Sequence, residues 1–466
     1  MSAYCRINQD RPPRSPLSIE ALVAKYSANV PRYTSYPTAP HFHPGVGADV
    51  YRDWLAGLDP DEPVSLYLHI PFCERLCSYC GCHTSVAHRR APIGDYVDHL
   101  IFEILLVSEA IGAPLPVASV HLGGGTPNIL SPDDLDRLFG ALRRAFDFRA
   151  DVEIAAEIDP RVLNQQWIDA AVRNGLNRAS LGVQDIDPEV QAAINRRQPW
   201  PLTLWAIDAL REVGVGSINL DLMYGLPRQS VASLRDTVAR ALDAAPDRIA
   251  LFGYAHVPWM KPNQKLIPEA SLPGSVERYL QQAAASALLA DSGYQRIGLD
   301  HFARADDALA AALTRGELRR NFQGYTTDSA RSLLGFGASS IGRLPSGYVQ
   351  NLTRTPEWRS AIQTGRLATA RGVALTAEDR LRGEIIERLM CGFAVDLEEV
   401  AGRHGVGADH FDRQLQGLEP MFADGLVFAD HRRLIVGEGG RAFVRTICAA
   451  FDEHLETAAR RHSAAV

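Results

Sequence analysis

The 466-residue chain has no apolar run approaching the roughly 20 residues needed to cross a bilayer, which excludes a spanning helix. Its first residues, MSAYCRINQDRPPRSP, lack the apolar segment of a secretory signal. Basic charge is not in excess: 48 Lys and Arg stand against 55 Asp and Glu, a formal net charge of -7, so nothing draws the chain generally toward nucleic acid. No internal repeat or low-complexity tract stands out. The evenly numbered, spaced cysteines of a disulfide framework are missing too, since the count is seven and four of these fall in CERLCSYCGC, from Cys73 to Cys82. The chain is therefore expected to be soluble and cytoplasmic, with thiols kept reduced for a metal and any acidic ligand met by a local basic patch.

What is present reads as an ordered series. Residues 1–16 are polar and rich in Pro and Arg, and are expected to be disordered. LSIEALVAKY has helical character, whereas the prolines and glycines of VPRYTSYPTAPHFHPGVG rule out regular structure, leaving its aromatic rings to pack it onto a core. Six short β-rich runs follow, at 64–70, 117–123, 152–158, 178–183, 217–223 and 248–254, separated by stretches with helical apolar spacing such as DDLDRLFGALRRAF. Such alternation predicts a parallel sheet, either open and doubly wound or barrel-like, with ligands at the C-terminal ends of the strands. Residues 255–375 read as irregular connections plus at least one helix, near 275–292. After 376 an amphipathic helix, shorter helices and a hairpin around GLVFADHRRLIV suggest a winged-helix-like unit, without the basic stripe of a DNA reader. The expected division is an arm over 1–50, an α/β unit over 51–375 and a helical unit over 376–466.

Cys73, Cys77 and Cys80 are spaced C-x3-C-x2-C directly after the first strand. Three thiolates so close can take three corners of one cubane. A structural zinc site completed by His83 or His88 is the alternative, but zinc sites commonly use a second short ligand pair, and no second C-x2-C exists. If Cys82 ligates the fourth iron, the cluster is closed and carries electrons. If it does not, one iron stays open for chemistry. GGGTP at 123–127 would let backbone approach a ligand, and Glu157 sits at a strand end. Asp221, in mid-strand, is costly to bury unless paired.

C-x3-C-x2-C is similar to the signature of the radical S-adenosylmethionine (SAM) superfamily. With YLHIPFCERLCSYCGC, HLGGGTPN, EIDPR, NLDLMYGLP, YAHVPWMKPNQ and LLGFGASSIG, nearly the whole chain resembles the oxygen-independent coproporphyrinogen III oxidase family. Related haem chaperones on the same scaffold carry an aromatic residue where Cys82 stands. The resemblance implies a partial (β/α)6 TIM-like barrel with a smaller, mostly helical C-terminal domain. It implies a 4Fe–4S cluster on Cys73, Cys77 and Cys80, with one SAM contacted by Tyr67, Gly124, Glu157 and Ile341. A second SAM would meet Tyr79, Gly125, Thr126, Gln184, Arg196, Asp221 and Ala255. Tyr67, His69 and Cys82 are the candidates for catalytic roles. The implied reaction turns two propionates of coproporphyrinogen III into vinyl groups, in a monomer served by a low-potential electron donor and an electron acceptor, with no nucleic-acid or membrane partner. Arg32, Arg304 and Arg320 are candidates to grip the substrate carboxylates, because arginine suits bidentate carboxylate binding.

Overall fold

The computed structural model describes residues 17–455; the segment expected to be disordered, 1–16, lies outside them. Six parallel strands form its centre: β1 (Val64–Ile70), β2 (Pro116–Gly124), β3 (Asp147–Ile158), β4 (Arg178–Gln184), β5 (Ser217–Tyr224) and β6 (Arg248–Gly253). Each pairs with the next in chain order, with no reversal. A doubly wound sheet would reverse its strand order at a switch point, so this is the barrel-like alternative.

The expectation of irregular chain over 255–375 needs correction. Besides the helix at Ser275–Asp291, this stretch adds β7 (Gln295–Ile297) and β8 (His301–Ala303) antiparallel beyond β6. On the other edge β9 (Ser332–Phe336) runs parallel to β1. β10 (Ile341–Leu344), β11 (Gly347–Asn351) and β12 (Thr369–Ala374) continue antiparallel from it. β7, β8 and β10, of three or four residues, are too short for a period to show, while β9, β11 and β12 each carry a glycine that weakens the β-rich signal, and pairing with distant neighbours creates them. The twelve-stranded sheet ends in β12 on one side and β7 on the other, so the barrel is partial.

Alternation along each central strand sets the layers. Leu66, Leu68, Val120, Leu122, Leu181, Leu220 and Ile249 are buried outward against the helices, as in the largest apolar core. The intervening positions are polar and line an interior cavity of about 140 Å³ that includes Ser119, His121, Glu157, Ser180, Asn219 and Asp221. Parallel strands covered on both faces are normally apolar throughout, so a polar inner face marks a place where ligands are received.

The chain ends meet in a second apolar core. The helix Ile19–Tyr26 contributes Val23 and Tyr26, and the irregular segment after it contributes Tyr33 and Tyr36. They pack against Ile385 and Leu389 of the helix Ala377–Gly392 and against Phe443 and Phe451. A small antiparallel sheet of Ala394–Asp396, Val427–Asp430 and Arg433–Val436 completes this unit. Among the described residues, no helix is long and apolar enough to cross a membrane.

Glu103, buried on the helix Arg90–Ile111, ties that helix to the extended edge of the sheet. Its carboxylate accepts from the Gly337 N–H (2.6 Å), Asn351 Nδ2 (2.6 Å) and Trp358 Nε1 (3.2 Å). Replacing it with alanine orphans two buried donors, the Gly337 N–H and Trp358 Nε1, each worth about 1–3 kcal/mol when left unsatisfied, while Asn351 Nδ2 keeps the Gly337 carbonyl and Ser340 Oγ. Glu103→Ala is expected to lower stability by about 2 kcal/mol or more, read as a shift of the urea midpoint. An unchanged midpoint would mean that water replaces the carboxylate.

Candidate active site

After β1 the chain passes through Pro71 into the two-residue strand Phe72–Cys73, which pairs in parallel with Ser85–Val86 and closes the cysteine loop at its base. The three predicted cluster cysteines meet three different surroundings. Cys73 Sγ lies 3.2 Å from Thr84 Oγ1 and accepts from the Thr126 hydroxyl at 3.3 Å. Cys77 is buried, and its sulfur accepts from Arg161 at 3.6 Å and Arg196 at 3.7 Å. Cys80 receives a hydrogen bond from the Cys82 thiol, which lowers its proton affinity, while the same bond raises that of Cys82.

Among the described residues, no three Cys, His, Asp or Glu side chains converge closely enough to hold a single metal ion. A cubane takes each thiolate at a separate iron, so it asks for thiols spread around a loop, and the donor set fits that requirement. The two histidines of the zinc alternative do not join the thiols in such a group; the His83 carbonyl instead faces His69.

The glycine run forms the neighbouring wall. Gly124 has φ +107°, and a Cβ there would lie 2.5 Å from the His69 ring. A Cβ on Gly125 would lie 2.6 Å from the Phe72 carbonyl oxygen. The Gly125 and Thr126 N–H groups donate to the carbonyls of Ile70 and Phe72, each at 2.8 Å. The Gly124 N–H donates to Glu157 Oε2 at 3.0 Å, and His121 Nε2 lies 3.4 Å from Oε1. Burial alone would raise the Glu157 carboxyl, but His121 and the Gly124 N–H outweigh it and hold the group below its ordinary value.

His69 Nε2 lies 2.9 Å from the His83 carbonyl, an acceptor only, so this nitrogen carries the hydrogen. Nδ1 then accepts from the Tyr67 hydroxyl at 3.0 Å in the neutral ring, the form that burial favours. The Tyr67 ring stacks on His121, with centroids 6.0 Å apart.

The other predicted residues distribute around this wall. Arg196 is buried and bridges Cys77, Asp159 and the Gly182 carbonyl, with its Nε left unpartnered. Gln184 closes β4 with φ +71°. Asp221 accepts from Ser180 Oγ at 3.0 Å and Asn219 Nδ2 at 2.7 Å, and burial together with the Glu157 charge raises it to about 7. Ile341 opens β10 beside Gly335, the residue paired with Tyr67. Tyr79 and Ala255 are joined through one amide: Gln264 Nε2 donates to both carbonyls, at 2.8 and 3.2 Å.

That amide belongs to a strap for which the sequence reading assigned no role. Asn263 Nδ2 lies 3.0–3.2 Å from the carbonyls of Cys77, Ser78 and Cys80, and Lys261 Nζ donates to the Cys82 carbonyl at 3.1 Å. Lys-Pro-Asn-Gln reads locally as a turn, and only the folded chain brings it over the cysteines. Of the carboxylate-gripping candidates, Arg304 does not belong here. It pairs with Asp306 at the surface, and its N–H meets the Asp247 carbonyl just before β6, at the opposite end of the barrel. Arg32 and Arg320 lie at the C-terminal end of β6, where Arg32 donates to the Gly253 carbonyl at 3.0 Å.

A six-stranded parallel partial barrel with three spread thiols on the loop after β1 defines a radical SAM enzyme, and the radical SAM superfamily model matches residues 67–241. A second model, the HemN C-terminal domain, matches residues 375–443. Among curated relatives, an oxygen-independent coproporphyrinogen III oxidase of Bradyrhizobium diazoefficiens is 49% identical over 94% of this chain and 97% of its own. The enzyme of that name from Escherichia coli is 40% identical over 94% of this chain and 96% of its own. The solved structure of the Escherichia coli coproporphyrinogen III oxidase, HemN, described as a radical SAM enzyme, superposes with a TM-score of 0.88 at 38% identity, covering 95% of this chain and all of that one. The chain belongs to the oxygen-independent coproporphyrinogen III oxidase family.

Two expectations follow. Cys73→Ser, Cys77→Ser and Cys80→Ser should each abolish stable cluster assembly, whereas Cys82→Ser should keep a 4Fe–4S absorbance that changes on adding SAM. Iron analysis and absorbance under anaerobic conditions decide the matter; equal loss in all four variants would indicate a closed, four-cysteine cluster. The second concerns pH. Between the unfolded carboxylate pKa and about 7, native Asp221 holds a proton that the unfolded chain has lost. Stability from this group is therefore fully present in acid and is lost as pH rises through about 7. Asp221→Asn should melt above wild type at pH 8, by a clearly wider margin than at pH 5, in scans of the cofactor-free protein.

Proposed function

We propose that this radical SAM enzyme of haem biosynthesis performs oxidative decarboxylation of two propionate side chains of coproporphyrinogen III, yielding vinyl groups and protoporphyrinogen IX. The observation that carries the reading is the arrangement of the four clustered cysteines: three thiols in separate surroundings, with Cys82 exposed and turned to Cys80 beside the Gly124–Glu157 wall. An open iron at such a place is what substrate chemistry requires and electron carriage does not.

Cys73, Cys77 and Cys80 would hold the cluster. Tyr67, Gly124, Glu157 and Ile341 would contact the SAM bound to it. Tyr79, Gly125, Thr126, Gln184, Arg196, Asp221 and Ala255 would contact a second SAM. Bound there, the cluster and SAM supply one-electron chemistry able to remove a hydrogen atom from an unactivated carbon. The protein's own task is then positional and protective. Glu157, held ionised by its donors, would accept hydrogen bonds from ribose hydroxyls. Gly124 brings backbone close to a ligand where any side chain would strike His69. His69 and Tyr67 commit their hydrogens to each other and to the His83 carbonyl, which fixes that wall. The strap through Lys261, Asn263 and Gln264 covers the cysteine loop and limits water and oxygen there. Each vinyl group requires the removal of electrons that leave with neither CO2 nor product, so an electron acceptor is needed, together with a low-potential donor to start the reaction. The proposed unit is a monomer in the cytoplasm.

After anaerobic reconstitution with iron and sulfide, the protein should consume SAM and convert coproporphyrinogen III to a product with two vinyl groups, seen by chromatography and mass spectrometry. Tight haem binding with no decarboxylation under the same conditions would favour a haem chaperone on this scaffold.

A further inference from the structure

At the C-terminal ends of β5 and β6, four arginines from four separate segments line one small cavity. Arg32 comes from the N-terminal arm, Arg278 from the helix Ser275–Asp291, Arg320 from the strand Arg319–Asn321 and Arg445 from the helix Val444–Ala449. The sole carboxylate lining it is Asp300. Burial alone would raise Asp300, but Arg320, His301 and Arg32 outweigh it and keep it ionised. One negative charge therefore faces four guanidinium groups, and arginine does not shed its proton to escape such crowding.

Several of these donors are aimed inward without acceptors. The Arg320 side chain is only 6% exposed, and its Nε and Nη1 have no hydrogen-bond partner; Asp300 Oδ1 stands 3.5 Å from Nη1. The Arg278 side chain has no ion pair or hydrogen bond among the described residues, its charge resting 5.6 Å from the centre of the Tyr224 ring. Arg445 reaches the Pro31 and Val30 carbonyls, and burial with the charges of Arg32 and Arg320 pushes its guanidinium down to about 10. Concentrated, poorly neutralised positive charge in an enclosed place destabilises the protein unless an anion enters. The cavity measures about 40 Å³, room for a group the size of one carboxylate and not for a macrocycle. Ala255 lines it, and the Gln264 amide joins Ala255 to Tyr79 in the cysteine loop, so the cavity adjoins the reaction site.

We propose that this cavity is the subsite that clamps one propionate carboxylate of the tetrapyrrole substrate, with Arg278 and Arg320 as its principal donors and Arg32 closing it from the N-terminal arm. This assignment rests on the functional reading above and deepens it. A carboxylate held by guanidinium groups is stabilised as the anion and resists conversion to neutral CO2. The clamp therefore suits a propionate that is retained, one that sets the orientation in which another meets the reacting atoms. Arg320, proposed from the sequence, has a place here, and so do Arg278 and Arg445, which no local motif singled out.

The test is equilibrium binding of coproporphyrin III, the stable tetracarboxylate form of the macrocycle, to the cluster-loaded protein. Arg278→Gln removes charge and breaks no hydrogen bond or ion pair, only the long contact with the Tyr224 ring, so the cofactor-free variant should melt close to or above wild type. It should bind coproporphyrin III about 10- to 100-fold more weakly, the effect of losing a charged hydrogen bond. Arg278→Lys should recover much of the affinity. Arg32→Gln, which gives up the Gly253 carbonyl and part of the charge facing Asp300, should weaken binding in the same direction. Unchanged affinity in both glutamine variants overturns the proposal. So does intact porphyrin affinity combined with loss of one bound SAM equivalent, since the cavity would then hold the SAM carboxylate. Failure of the wild-type protein to form vinyl product is a separate measurement and would count against the functional reading alone.

Discussion

The pairing of β1 with β2 is the constraint on which the site depends. Its register sets Tyr67 opposite His121, His69 opposite Gly123 and Ile70 opposite Gly124. From that register follow the stack of Tyr67 on His121, the contact of the Gly124 backbone with the His69 ring and the reach of the Gly124 N–H to Glu157. The turn after β2 then lies on the segment after β1, where Thr126 meets Cys73. A slip of one residue would send Tyr67 and His69 outward among the helices and bring Leu66 and Leu68 into the barrel. Burial of the outward leucines thus holds the polar wall in place, and packing energy on one face positions chemistry on the other.

Charge is distributed unevenly inside the barrel. Glu157 and Asp221 share one interior cavity, and their mutual repulsion helps keep Asp221 protonated near neutral pH. Arg196 stands at the other side, drawn to Asp159 and the Cys77 sulfur. Beyond β6 the balance reverses, with guanidinium groups outnumbering carboxylates. A ligand set combining a cationic sulfonium with carboxylates would find partners of both signs within one mouth. The cost is borne in the ligand-free protein, as buried charges with incomplete partners.

The chain termini also take part in this arrangement. The N-terminal arm packs its tyrosines into the C-terminal core, and Tyr33 donates to Asp452 at 2.9 Å. This docking carries Arg32 to the end of β6 and brings Arg445 beside it. A winged-helix-like unit that reads from its sequence as a separate attachment therefore supplies a side chain to the cavity at the barrel mouth.

By itself the sequence determined the central strands, the cysteine loop, the glycine turn and the family. These depend on local patterns, such as β-rich runs of the right length, C-x3-C-x2-C within one loop and a Gly-Gly-Gly-Thr-Pro turn at a strand end. The alternation S-I-N-L-D-L-M sets its polar residues on one side of a strand, but only the fold made that side the interior of the barrel. Tertiary structure alone decided the rest. It chose a barrel over a doubly wound sheet, because strand order is a matter of pairing between distant segments. It made strands of β7 to β12, which are very short or interrupted by glycine and so show no β-rich period. It placed Asn263 over the cysteine loop, dismissed Arg304 to the far end and gathered Arg32, Arg278, Arg320 and Arg445 around one cavity. The physical reason is common to all of these. A side chain that acts through a partner hundreds of residues away leaves no periodicity and no spacing in its own neighbourhood, and its role exists only once burial has brought the two together.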